Sequence, residues 1–216
     1  MEVFGEHIIK EEGDYIISNG FAREIDFEIK VKIGKFDHAW YSYALKYIID
    51  YVTREKAQIL PGQTIAFNCW IIKFIKVSDD YLELYELDGN GEDFVLGVDL
   101  SLSMFSELSS TCEKYSSEVA YPIITQKIVI SEGIETEYPI EGVRYDVDGK
   151  MSGWWITTDL YNGDISSLKQ IEFHQLYLVR PELIKYLALS TGFRFFLEET
   201  KDDVWFDQEV LNQLNQ

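Results

Sequence analysis

Three histidines, two cysteines and a surplus of carboxylates are the residues of this chain that could carry chemistry. His7, His38 and His174 fall in three separate predicted elements, with no HExxH spacing, so they form no evident metal motif. The acidic run Asp88-Gly-Asn-Gly-Glu-Asp93 sets oxygen ligands at alternate positions, as calcium loops do. The glutamate such loops need twelve positions from the first ligand is replaced by Asp99, and the chain between is strand-like. A hairpin turn is the simpler reading. Gly89 and Gly91 lead into a strand and not into a helix, so no phosphate cradle forms there. Cys112 and His174 could pair as nucleophile and base, but nothing local supports it. With 38 acids in the chain, paired carboxylates discriminate nothing. No nucleophile elbow or nucleotide-binding loop occurs, and the sequence implies no catalytic residue, no metal site and no cofactor.

The elements that would position these groups are mostly strands. Glu24 to Lys32 alternates with period two. Asp37 caps a helix over about 37–54 whose apolar spacing is three and four, rich in tyrosine. Thr64 to Val77 reads as one long central strand, and Tyr81 to Leu87 as a second, returning through Phe94 to Val98. Asp99 or Ser101 caps a helix over 100–116. Ile123 to Ile130, Val143 to Val147, Trp154 to Thr158 and Ile171 to Val179 read as strands. A helix opened by Pro181 covers 181–189. Phe193 to Glu198 and Val204 to Phe206 are the last strands, and Gln208 to Leu214 a terminal helix. Strands that follow strands with few helices predict α+β architecture on mainly antiparallel sheet. A division near Ala120 gives modules at 1–120 and 121–216.

Composition narrows the partners. The chain has 22 acids against 11 bases in residues 1–120 and 16 against 8 in residues 121–216, for a net charge of −19. Nucleic acid and anionic membrane are repelled by that field, and a basic protein is drawn in. No apolar run approaches the ~20 residues of a membrane span. The first residues read as no signal peptide, so cytoplasmic residence is expected. Cys69, inside an apolar run, reads as a buried inert thiol. Trp70 and Trp205 read as core, and of Trp154 and Trp155 one faces inward and one outward. Arg194 is expected to pair with Asp202 or Asp203 across the turn.

The C-terminal blocks Ser152-Gly-Trp-Trp-Ile, His174, Arg180-Pro-Glu-Leu-Ile-Lys-Tyr-Leu-Ala-Leu, Gly192-Phe-Arg-Phe and Asp203-Val-Trp-Phe-Asp207 resemble the immunity proteins of bacterial polymorphic toxin systems, the immunity family thirty-three group in particular. The resemblance covers residues 152–207. It departs from the pattern at Ser190-Thr191, where a proline-containing turn is expected. It implies a cytoplasmic, non-enzymatic protein that binds and blocks a cognate toxin domain, often a basic one, with motif residues that define the fold. The other readings are an interaction domain without a toxin partner and, less supported, a hydrolase with an acidic cleft. Oligomeric state is left open. For a partner surface the sequence offers Tyr43, Tyr47 and Asp50, spaced four and three on one helix face, with Asp79, Asp80, Glu92 and Asp93 adding negative field. The alternative, that these tyrosines only cover the sheet, is the more favoured of the two.

Overall fold

A computed structural model of the chain describes residues 1–147 and 149–212. It divides into two compact units, Met1–Ser103 and Met104–Gln216. Both are α+β, built on mostly antiparallel sheet.

In the first unit the strands β1 (Glu2–Phe4), β2 (His7–Glu12) and β3 (Tyr15–Asn19) lead to the short helix α1 (Ala22–Ile25). Then come β4 (Glu28–Lys32), the long helix α2 (His38–Glu55), β5 (Thr64–Phe67), β6 (Trp70–Lys76), β7 (Tyr81–Leu87) and β8 (Phe94–Leu96). The sheet order is β1-β2-β3-β4-β7-β6-β5, with β8 also paired to β7. Only β4 and β7 run parallel among these pairs, and α2 lies in the crossover that a parallel pair requires. α2 buries Tyr41, Ala44, Leu45, Ile48, Ile49 and Val52, a stripe at spacings of three and four. That stripe packs with Ile29, Val31, Ile72, Phe74, Leu82 and Leu84.

Three expectations for this unit are corrected. Residues 64–77 are not one central strand. They fold back at Asn68, whose φ of 53° turns the chain, and β5 is the sheet's edge. The strand expected from Glu24 begins at Glu28, because Ala22–Ile25 is helical and Asp26 takes φ 67°. The cause is the Glu28 carboxylate, which accepts the backbone N–H groups of Gly20, Phe21 and Ala22 and so holds the helical turn. Strands β1 to β3 were not expected: β1 is three residues long, β2 ends in the charged run Lys10-Glu11-Glu12, and β3, Tyr15-Ile-Ile-Ser-Asn, does not alternate.

Helix α3 (Asp99–Lys114) runs through the division between the units. Asp37 precedes α2 as its N-cap residue, but its side chain makes no capping bond. The N-terminus of α3 is capped from a strand: Glu86 of β7, 3% exposed, accepts from Leu100 N at 2.8 Å, Ser101 N at 2.7 Å and Ser101 Oγ at 2.8 Å.

The second unit contains β9 (Lys127–Ile130), β10 (Ile140–Arg144), β11 (Met151–Thr158), β12 (Lys169–Glu172), α4 (Phe173–Val179), a 3-10 helix (Pro181–Tyr186), β13 (Phe193–Leu197), β14 (Asp202–Phe206) and α5 (Gln208–Asn212). The sheet order is β12-β9-β11-β10-β13-β14, parallel only between β9 and β11. Trp154 and Phe195 meet at 5.3 Å, and Tyr186 stacks on Phe195 at 4.9 Å, which anchors the 3-10 helix to one sheet face. The strand expected over Ile171 to Val179 is instead the end of β12 followed by α4. Glu172 and Gln175 form a reciprocal capping box, and the buried Phe173 and Leu176 are three apart, a helical spacing. The helix expected over 181–189 is a 3-10 helix ending at Tyr186. The strand expected over Val143 to Val147 is β10, shifted toward the N-terminus. Of the terminal helix, Gln208–Asn212 is present, and Leu214 lies outside the described residues.

Candidate partner-binding surfaces

The aromatic residues of α2 fall into two environments. Tyr41 is fully buried, and its hydroxyl donates to Asp99 Oδ1 at 2.6 Å while accepting from Gly34 N and Phe36 N. Burial and the Asp99 carboxylate push its phenol up to about 12. Tyr43 and Tyr47 lie half-buried along the flank of the helix over β5. The Tyr47 ring meets Phe67 edge-on at 5.1 Å, and Tyr43 lies 6.0 Å from the same ring. Their hydroxyls reach Ala66 O at 3.3 Å and Asn68 Oδ1 at 3.1 Å. Asp50, one turn on, is exposed and pairs with Arg54 at 3.3 Å.

The four remaining acids do not gather around this face as one group. Asp79 and Asp80 sit in the β6–β7 turn; Glu92 and Asp93 sit in the β7–β8 turn. The seven residues of β7 separate the two turns, roughly 20 Å at strand rise. Asn68, the partner of Tyr43, belongs to the β5–β6 turn beside Trp70, whose indole N–H donates to Leu87 O at 2.7 Å. Tyr43 therefore shares an end of the sheet with Glu92 and Asp93. Lys76 at 2.9 Å holds the Asp79 carboxyl below its usual range. In the second turn Asp88 Oδ1 accepts from Glu92 N and Asp93 N, so its oxygen is engaged by the hairpin.

The motif blocks of the second unit are chiefly structural. Gly153, at φ 86°, passes so close to Tyr145 O that a Cβ would sit 2.2 Å away; Gly192, at φ 91°, lies against the Phe206 ring. Arg180 is buried, donates to Glu182 and Ile134 O, and lies over the Tyr138 ring at 4.5 Å. Arg144, also buried, donates from Nη1 to Ala120 O, Leu187 O and Leu189 O and from Nε to Ser152 O. Burial lowers its pKa to about 10. The Tyr186 hydroxyl donates to Asp202 at 2.7 Å.

Two expectations are corrected here. Trp205 is not core: it is 40% exposed on the edge strand β14, where the Arg194 guanidinium lies 5.8 Å over its ring. Arg194 pairs with Glu141 on β10 and with Asp207 at 2.9 Å, and not with Asp202 or Asp203. The register explains both. Val143, Arg194 and Trp205 are direct cross-strand neighbours and point to the same side, opposite the Trp154 and Phe195 face. Trp70 and Trp154 are buried and Trp155 half-buried, as their strand positions require.

The thiols are poor nucleophiles. Both are free and fully buried, and burial pushes Cys69 up to about 12 and raises Cys112. Among the described residues, no three His, Cys, Asp or Glu side chains are arranged to hold a metal ion. Among them, too, no helix is long and apolar enough to cross a membrane.

No curated protein and no solved structure matches this chain. Residues 107–207 match the family model of the Imm33-like domain, a stretch wider than the motif blocks and lying wholly in the second unit.

Proposed function

We propose that the protein is a non-enzymatic immunity protein that binds a cognate bacterial toxin domain in the cytoplasm and neutralises it. The match of residues 107–207 to the Imm33-like domain carries this reading. The net charge of −19 supports a basic partner, because complementary charge speeds encounter and suppresses like-charged competitors. The inert buried thiols and the engagement of Asp88 in its own turn agree with a binding role.

The contact surface in this proposal is the α2 face of Tyr43, Tyr47 and Asp50. Glu92 and Asp93 extend its field at the near end of the sheet, and Asp79 and Asp80 steer from the far end. Half-buried aromatics with an exposed charge beside them suit an interface anchor.

The test is to search the neighbouring genes for a toxin with a variable C-terminal domain and to co-express that domain with this chain. Cells are expected to survive with the wild-type chain, and the purified pair to associate. Death despite expression of the folded chain sinks the reading. Asp50→Lys is the cleaner surface probe, since Tyr47→Ala also removes packing against Phe67. Asp50→Lys is expected to weaken association and to leave the melting temperature nearly unchanged, as an exposed ion pair contributes little.

A further inference from the structure

The second sheet ends on β14, and among the described residues β14 pairs only with β13. The pairing runs without a bulge from Phe193–Phe206 to Leu197–Asp202. Two flanking hydrogen bonds set its phase. Asp207 N donates to Gly192 O and Glu198 N donates to Lys201 O, each at 2.8 Å. Hydrogen-bonded pairs recur at every second residue of an antiparallel ladder, so Asp203 and Trp205 bond to β13. The N–H and C=O groups of Val204 and Phe206 therefore point the other way, to the open side.

Proteins blunt an open edge by brevity, lysine, proline or a bulge. The edge strand β1 has three residues, and the edge strand β12 opens on Lys169. β14 has five residues, Asp-Asp-Val-Trp-Phe, and its only charges are the two aspartates at its start. Trp205 and Phe206 are 40% and 47% exposed and point to opposite faces of the sheet. Both rings are held in place. The Arg194 guanidinium lies 5.8 Å over Trp205, and Phe193 meets Phe206 edge-on at 5.5 Å. Free main-chain groups between positioned aromatics suit strand addition, in which the main chain gives affinity and the side chains give choice.

Charge selects the occupant. Residues 198–209 hold six acids against the single base Lys201, a net charge of 1 − 6 = −5. A second copy would bring two such stretches together, and pairing about Trp205 would set Asp203 opposite Asp207. Like charges directly opposite destabilise a ladder. A strand with arginine or lysine at those two places meets opposite charge instead. The ion pair of Asp203 with Lys201 is exposed and offers little resistance to exchange.

We propose that the open edge of β14 accepts an extended segment of a basic protein partner, antiparallel, on the main-chain groups of Val204 and Phe206. Cationic side chains of the segment lie opposite Asp203 and Asp207, on the face that Trp205 shares. This edge is additional to the α2 face. That the partner is a toxin rests on the immunity reading; the acceptance of a basic strand does not.

The test titrates the full-length chain with the capped peptide Arg-Val-Thr-Val-Arg and follows amide hydrogen exchange by NMR. Saturable binding is expected to slow exchange at Val204 and Phe206. Trp205, whose N–H already bonds to β13, should change little. Methylating both valine nitrogens, which point at β14 in this register, should weaken binding by about tenfold or more. Glutamate in place of both arginines should weaken it by about as much. Val204→Pro removes an outward N–H without touching the β13 ladder and should also weaken the peptide. Trp205→Ala should cost about tenfold in affinity. Binding that never saturates, equal binding of the methylated or glutamate peptide, or protection of Val204 and Phe206 by self-association without peptide overturns the proposal. If Trp205→Ala and Val204→Pro lose the peptide yet neutralise the toxin as wild type does, the toxin is overturned as the source of the strand and the immunity reading stands. If wild type binds the peptide at β14 but protects no cell, the edge stands and the immunity reading falls.

Discussion

The two units handle buried charge in opposite ways. In the first, a buried carboxylate accepts: Glu86 takes the N–H groups that open α3, and the less buried Glu28 takes those that open α1. In the second, buried guanidiniums donate: Arg144 takes the carbonyls of Leu187 and Leu189 just past the 3-10 helix, and Arg180 those of Ile134 and Glu137. Helix starts leave orphan donors and helix ends leave orphan acceptors, with a dipole of matching sign. A buried ion therefore needs no counter-ion if it meets the right end of the backbone. By this route the chain buries Glu86 and Arg144 without a counter-ion, while Arg180 also pairs with Glu182.

The sharpest way to break this comparison is Arg144→Met. It removes the Arg144 donors from the buried Leu189 O and Ser152 O, at about 1–3 kcal/mol each, while Leu187 O keeps the Trp154 indole N–H, so a loss of about 2–5 kcal/mol is expected in urea unfolding. A loss below about 1 kcal/mol would show that other donors or water serve those carbonyls. Trp154→Ala should cost a similar amount, about 3–5 kcal/mol, as a buried aromatic that also donates to Leu187 O. The matching variant at the exposed ring, Trp205→Ala, should cost under about 1 kcal/mol. Equal losses at Trp154 and Trp205 would contradict the assignment of the two sheet faces.

Glu86→Ala should cost about 2–3 kcal/mol, and Glu86→Gln less, because the amide oxygen still accepts. The pH dependence separates the units further. Burial raises the Glu86 pKa, so its contribution is fully present below its unfolded value near 4.5 and is lost as pH rises through the folded value. Asp202 runs the other way. The Tyr186 hydroxyl lowers its pKa, so its contribution is present above its unfolded value near 3.8 and is lost as pH falls through the folded value. Unfolding of wild type and Asp202→Asn compared across pH should show a gap near neutrality that narrows as the pH falls below the ordinary aspartate range. A gap that persists in acid would mean the asparagine acts by packing instead of charge. The smallest effect belongs to Asp50→Lys, whose melting temperature should stay within about 1 °C of wild type.

Much of this protein was legible from side-chain period. The stripe of α2 and the alternation of β7 fixed a helix and a strand at their observed places, since each buries one face and the sequence must mark it. The candidate face of Tyr43, Tyr47 and Asp50 was legible in the same way, as a spacing of four and three. What failed was where period two and period three coincide. Over residues 171–179 large apolar residues fit both, and only the Glu172–Gln175 capping box decides for a helix.

By itself, then, the sequence determined the strand-rich α+β class, the acidic field, the absence of nucleophile and phosphate motifs, and the resemblance of residues 152–207. All of these are local or additive properties of the chain. Tertiary structure decided which strand lies at an edge, which face of a strand is covered, and which distant backbone groups a charged side chain satisfies. Trp205 was read as core because its strand is apolar, yet β14 is an edge with one open face. Arg144 and Glu86 read as ordinary charges, yet each is buried on backbone groups many positions away. Burial and pairing are properties of register and packing between elements, and no window of sequence contains both partners.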